Sequence, residues 1–231
     1  MARAAAGCDL GHADPRVEAV DRITEAFTWP FRDPEWVSKL LIIALTLLIP
    51  IIGSINGLGW MLASLDRLRA GEERLAPANL SYIGRGLRLF AVELIYALVI
   101  VFIALVIFVP AVVLSTNQGQ GSANSGLIAA AVLLNLVGFS VVTVLSLALT
   151  FLTPAIVLAT DRAGVAAGID VRAVVRRSRS NLNHTLIAGL MLIAASFVGS
   201  IGSIACGIGV LVTSAYALAM QAWIIRSFEK G

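Results

Sequence analysis

Hydrophobic and polar positions along this chain are sorted into long blocks. Residues 40–65, 94–160 and 180–225 contain no Asp, Glu, Lys or Arg, and the segments between them are dense in arginine. A helix that crosses a bilayer needs about 20 apolar residues. The first block fits one tilted helix over 38–65. It also holds Pro50, Gly53, Gly57 and Gly59, so two half-helices that re-enter are the open alternative. The second block is too long for one span. Its middle, 115–126 (STNQGQGSANSG), is polar and small, which separates spans near 87–114 and 127–158. The third block suits a hairpin, with spans near 183–202 and 205–225 around the glycine-rich stretch 199–209.

The expected fold is therefore all-α: a polytopic transmembrane bundle of about five spans over 37–227, the first spanning or re-entrant. A polar tail and amphipathic helix over 1–36 precede it. There Asp14 can cap, Pro15 suits the first helical position, and Val17, Val20, Ile23 and Phe27 share one face. Trp29, Phe31 and Trp36 cluster around Pro30 and Pro34, as aromatic anchors do at headgroup depth. The first 36 residues carry seven acidic groups and no apolar core, so they are not expected to be a cleavable signal peptide.

Composition agrees with the block pattern. Of 231 residues, 58% are apolar and 13% charged, against about 45–50% and about 25% in soluble domains. Soluble, disordered and fibrous classes are excluded. Net charge is only +3, but its placement carries information. Arg67, Arg69, Arg74, Arg85 and Arg88 follow the first block, and Arg162, Arg172, Arg176, Arg177 and Arg179 precede the last, while 115–126 has no Lys or Arg. Positive charge marks cytoplasmic connections. A cell-membrane protein is expected, with 66–88, 161–181 and the C-terminus inside and 115–126 outside. The side of the N-terminus depends on whether 40–65 crosses or re-enters. The segment 169–182, capped by Asp170, reads as an amphipathic helix. Its arginines either contact anionic lipid or only set topology.

Few groups within the blocks carry chemistry. Glu93 is the one ionisable acidic or basic residue inside a predicted span, and such carboxylates are functional suspects. Two readings stay open: a pair with Arg88 or His184, or a substrate or proton site. Asn56 and Asn135 are the other strong hydrogen-bonding groups, and Asn56 sits where a broken helix would expose backbone to a ligand. Ala195, Gly199, Ser203 and Gly207 recur at four-residue steps, as do Gly53 and Gly57. Such ridges permit close helix packing or homo-oligomerisation. An internal echo pairs Asp66-Arg67 with Asp161-Arg162, each ending an apolar run.

Cys8, Cys206, His12 and His184 have no metal-ligand or disulfide spacing. No catalytic, nucleotide or metal motif is recognisable, and neither an enzyme, a cofactor nor a nucleic-acid partner is expected.

One stretch is distinctive: Phe27-Thr28-Trp29-Pro30-Phe31-Arg32-Asp33-Pro34-Glu35-Trp36-Val37-Ser38-Lys39-Leu40, followed by Leu48-Ile49-Pro50-Ile51-Ile52-Gly53 and Gly59-Trp60. Over about residues 27–90 it resembles the prokaryotic domain-of-unknown-function family 4013. That family's first loop continues with Leu-Pro and a Trp, where this chain has Leu75-Ala76-Pro77-Ala78-Asn79 without the Trp. The resemblance implies a multi-pass architecture and carries over no activity or site residue. The expected role is a non-catalytic membrane scaffold or accessory subunit of a complex; the alternative is a carrier or channel for a small molecule or lipid.

Overall fold

The computed structural model describes residues 24–116, 125–180, 182–202 and 208–230. Most of the expected interfacial helix, the tip of the 115–126 loop, Ser203, Gly207 and both cysteines lie outside the described residues. Residues 24–28 are helical and lead into a 3-10 turn, Trp29–Arg32. The helices that follow are α1 (Trp36–Leu47), α2 (Pro50–Arg69), α3 (Ile83–Thr116) and α4 (Ser125–Ala163). Then come α5 (Val165–Ile169), α6 (Val171–Ser180), α7 (Leu182–Ile201) and α8 (Ile208–Lys230). No strand occurs among the described residues.

Four helices are long and apolar enough to cross a membrane: α3, α4, α7 and α8. They extend past the predicted limits, mainly at the arginine-bearing ends. Their apolar windows are mostly exposed, only 6% buried in α3 and 11% in α4. That is the surface lipid covers in a membrane protein.

The first apolar block does not cross as a single helix. Proline lacks an N–H and pushes its predecessor out of the helical region. Ile49 is accordingly extended (φ −92°, ψ 99°), and Pro50 opens α2 at the position where proline is tolerated. A straight helix would separate Lys39 from Arg67 by about 42 Å at 1.5 Å per residue. Instead both side chains donate to the same acceptor, the Leu75 carbonyl, each at 3.4 Å. The chain therefore folds back on itself as a helical hairpin. With 12 residues, α1 is only about 18 Å long by helical rise, too short for a core of about 30 Å. At the bend, a Cβ on Gly53 would lie 2.0 Å from the Thr46 carbonyl oxygen, so glycine is required for the two helices of the hairpin to close.

The helices close into a ring: α2 packs on α3, α3 on α4, α4 on α7, α7 on α8, and α8 back on α2, with α1 against α2 and α8. Between apolar helices in lipid there is little hydrophobic drive, so dispersion at close approach must hold them together. The α2–α3 crossing is built that way. A Cβ on Gly86 would sit 1.8 Å from the Ile55 carbonyl oxygen, and one on Gly59 would sit 2.2 Å from the Tyr82 carbonyl oxygen. Gly57 faces Leu218 of α8 and Leu47.

The core does not stop at residue 37. Ala26 and Trp29 are wholly buried in the same apolar cluster as α2 and α8. Trp29 donates from Nε1 to the Ala219 carbonyl (3.2 Å) and stacks on Trp223. The expectation that Trp29 anchors at the headgroups is thus corrected: its N–H finds a partner inside the protein. Phe31 is exposed, packed edge-on against the half-buried Trp36.

The aromatic motif also builds a clasp. Asp33, 1% exposed, accepts from Lys39 Nζ (2.8 Å) and from the backbone N–H of Glu35 and Leu75 (2.9 Å each). Burial alone opposes the charged carboxylate, but Lys39 and the two N–H groups outweigh it and hold Asp33 below the usual carboxylate range.

Two outcomes follow from this packing. Gly86→Ala is expected to cost about 1–3 kcal/mol, the range for overpacking. Gly84→Ala, whose Cβ would meet nothing within 4 Å, should be neutral or slightly stabilising. Thermal unfolding in nonionic detergent distinguishes them. Because its native pKa is depressed, Asp33 contributes fully above the ordinary carboxylate pKa of about 3.9 and loses the contribution as pH falls through the lower native value. The stability gap between wild type and Asp33→Asn should therefore be constant near neutrality and shrink only below about pH 4. A gap that grew on acidification would contradict the assignment.

Candidate functional site

Two polar constellations occupy different levels of the ring. At one end of the bundle, the ends of α2, α4 and α8 and the start of α3 meet in an ionic network. Arg69 reaches Asp66 (3.0 Å), Asp161 (2.9 Å) and Glu229 (2.8 Å). Arg85 binds Asp161 (2.7 Å) and also Asp66, while Arg162 binds Glu229. The two Asp-Arg pairs of the sequence echo are thus brought together, their carboxylates bridged by the same two arginines. With the Asp161 side chain 8% exposed and that of Glu229 18%, these are not free surface pairs. The echo singled out Asp66 and Asp161; nothing in local sequence pointed to Glu229.

Deeper along the ring lies a groove of about 730 Å³ between the hairpin tip, α3, α7 and α8. Leu47, Leu58, Phe90 and Leu218 give it apolar walls, and Glu93, Ser54, Ser196, Ser214 and Gln221 supply polar groups. Glu93 is exposed into it, ten residues inside α3 and so about 15 Å from the start of that helix. No charged partner faces it among the described residues. The expected pairing with Arg88 or His184 is absent. Five residues turn a helix by about 140°, which sets Arg88 on another face, and His184 stands near the start of α7, at the ionic end.

Asn56 does not line this groove. It is wholly buried and donates from Nδ2 to the Asn79 carbonyl (2.9 Å); its Oδ1 has no partner among the described residues. On the same face of α2, Trp60 Nε1 donates to the Ala76 carbonyl (3.0 Å) and Ser64 Oγ accepts from the Ala76 N–H (3.2 Å). Asn56, Trp60 and Ser64 recur every four residues, so one stripe of α2 holds the loop 75–79. That corrects the reading of Asn56 as a ligand group: the polar helix face serves buried loop backbone. Asn135 donates to the Ala131 carbonyl of its own helix (2.9 Å).

The small-residue ridge divides in two. Ala195 is wholly buried, but a Cβ on Gly199 would meet only Ala217 Cβ, at 3.9 Å. Gly199 therefore leaves room in the groove wall and is not a tight helix contact. Gly189, which spacing did not single out, makes the close approach instead: a Cβ there would lie 1.9 Å from Phe151 Cδ1.

The DUF4013 family, described as proteins of unknown function, matches residues 42–208, most of the chain. The chain belongs to DUF4013. No curated protein and no solved structure matches it. The DUF4013 match begins inside α1 and reaches the first residue of α8. It takes in the hairpin bend, the 75–79 loop, Glu93 and Asp161, and leaves the aromatic motif on its N-terminal side. Among the described residues, no group of three or more His, Cys, Asp or Glu is arranged to hold a metal ion.

The two constellations should separate in a stability measurement. Arg85→Gln removes charge-assisted bonds from two carboxylates and is expected to cost about 1.5–3 kcal/mol. Glu93→Gln has no partner to lose and should stay within about 0.5 kcal/mol of wild type. Thermal or denaturant unfolding in detergent checks both; a large loss for Glu93→Gln would restore a structural role for that carboxylate.

Proposed function

We propose that this DUF4013 protein is a non-enzymatic membrane carrier for a small amphipathic molecule, taken up by the groove beside the re-entrant hairpin. The observation that carries the reading is the Glu93 carboxylate, without a charged partner among the described residues and exposed into a cavity with apolar walls and several hydroxyl groups. A solitary carboxylate at that depth is costly and marks a functional position. Its natural complement is an amine or hydroxyl headgroup, with the apolar remainder against Leu47, Leu58, Phe90 and Leu218. The ionic network supports a carrier over an open pore, since it ties the helix ends together at one end of the same ring. A re-entrant hairpin with irregular backbone inside a bundle is tolerated where it lines a cavity.

The protein is placed in the cell membrane with its arginine-rich end in the cytoplasm, on the positive-inside bias. In this reading residues 24–39 share that side, which is supported by the contacts of Asp33 and Lys39 with the loop after α2.

Dodecylamine is a suitable probe. It should raise the unfolding midpoint of the wild-type protein progressively with ligand concentration, growing logarithmically once the site is filled, and both Glu93→Gln and the groove-filling Ser214→Leu should abolish the shift. If the probe stabilises Glu93→Gln as strongly as wild type, or stabilises neither, the groove is not a ligand site. The role that then stands is a scaffold or accessory subunit.

A further inference from the structure

A second site lies at the ionic end, outside the ring. Asp170 caps α6, accepting from the Ala173 N–H (3.1 Å), so the helix is held at its first turn. Val174 and Ser178 face inward and are buried. Helix α6 is seated on α7 through Thr185 Oγ1, which donates to the Ser178 carbonyl (2.8 Å). The opposite face carries Arg172, Arg176 and Arg179, all exposed, beside Val171 and Val175. These five residues line a cleft of about 440 Å³. None of the three arginines has a carboxylate within ion-pair distance among the described residues, in contrast to Arg69, Arg85 and Arg162. Val174 thus enters the core, while Val171 and Val175 accompany the arginines.

Helix α7 starts at Leu182, just after α6 ends at Ser180, and presents Leu182, Leu186 and Leu190 at 58%, 51% and 61% exposure. Four-residue spacing sets them in one row along α7, starting at the end nearer α6 in the chain. A guanidinium cluster followed by an apolar row has the polarity of a single lipid: anionic head, then acyl chain.

We infer that α6 and the first half of α7 form a binding site for an anionic phospholipid. Its phosphate is held by Arg172, Arg176 and Arg179, and its acyl chain lies along Leu182, Leu186 and Leu190. Arginine suits the head because its planar fork matches phosphate oxygens two at a time. The valines beside the arginines cover the glycerol region. The site is independent of the groove, and its loss leaves the Glu93 reading untouched.

The test uses the full chain in nonionic detergent, titrated with dioleoylphosphatidylglycerol or dioleoylphosphatidylcholine and read by native mass spectrometry. The wild type should retain phosphatidylglycerol at least tenfold better than phosphatidylcholine. The triple variant Arg172→Gln, Arg176→Gln, Arg179→Gln should lose retention by on the order of a hundredfold, from about 1 kcal/mol per basic residue. Arg74→Gln, an exposed arginine outside the cleft, should behave as wild type. Leu186→Asn should weaken the lipid, while inorganic phosphate at equal concentration should not displace it. An unchanged unfolding midpoint for the triple variant confirms that folding is intact. Equal retention of the two lipids by wild type, or equal retention of phosphatidylglycerol by wild type and the triple variant, overturns the site. Displacement by phosphate, or an unaffected Leu186→Asn, overturns the acyl row and with it the lipid assignment.

Discussion

The loop 75–79 turns its first two residues inward, with Leu75 at 0% and Ala76 at 1% exposure, while Pro77 and Asn79 stay exposed. Loops normally stay at the surface because buried backbone must find hydrogen-bond partners. Here every partner is supplied by a different piece of the hairpin. Asp33 takes the Leu75 N–H, Lys39 and Arg67 share the Leu75 carbonyl, Ser64 and Trp60 hold Ala76, and Asn56 holds the Asn79 carbonyl. The loop is the peg on which both arms of the helical hairpin hang. Because the hairpin stays folded back, Leu47 and Ser54 on either side of its bend line the groove beside Glu93.

That dependence gives the aromatic motif a physical meaning. Asp33 and Lys39 are a buried pair whose desolvation is offset only because two backbone N–H groups complete the carboxylate shell. Trp29 pins the turn before α1 to α8 through Ala219. Proline at position 50 and glycine at 53 set the bend, and glycines at 59 and 86 let α2 and α3 cross at backbone distance. Lipid exerts no squeeze between apolar helices, so the bundle relies on hydrogen bonds at its polar end and on glycine contacts within. The ionic network plays the same part for the helix ends, tying α2, α3, α4 and α8 through Arg69 and Arg85.

Much of the architecture was legible along the chain, because charge-free blocks and arginine-rich connections are local properties. The four long helices, the break at Pro50, the Asp170 cap and the suspicion attached to Glu93 all follow from residues read in order. Asn56 and Trp29 were misread for a common reason. A polar or amphipathic side chain in an apolar setting must satisfy its hydrogen bonds, and a sequence does not reveal whether protein backbone or something external supplies the partner. Gly86 and Gly189 carried no spacing signal, since what each glycine accommodates lies on another helix.

By itself, then, the sequence determined the apolar helical class and the four long helices, which rest on composition and periodicity, and it left open whether the first block bends at Pro50 and whether Glu93 is paired. Tertiary structure alone decided that the bend is a fold-back and that Asp66, Asp161 and Glu229 share two arginines. It also decided that Glu93 faces a groove while Asn56 faces a loop, and that Arg172, Arg176 and Arg179 on α6 have no acidic partner among the described residues. Each of those depends on which surfaces meet across long stretches of chain. That is set by close helix approach and by the demand of buried polar groups for partners, neither of which is encoded at any single position.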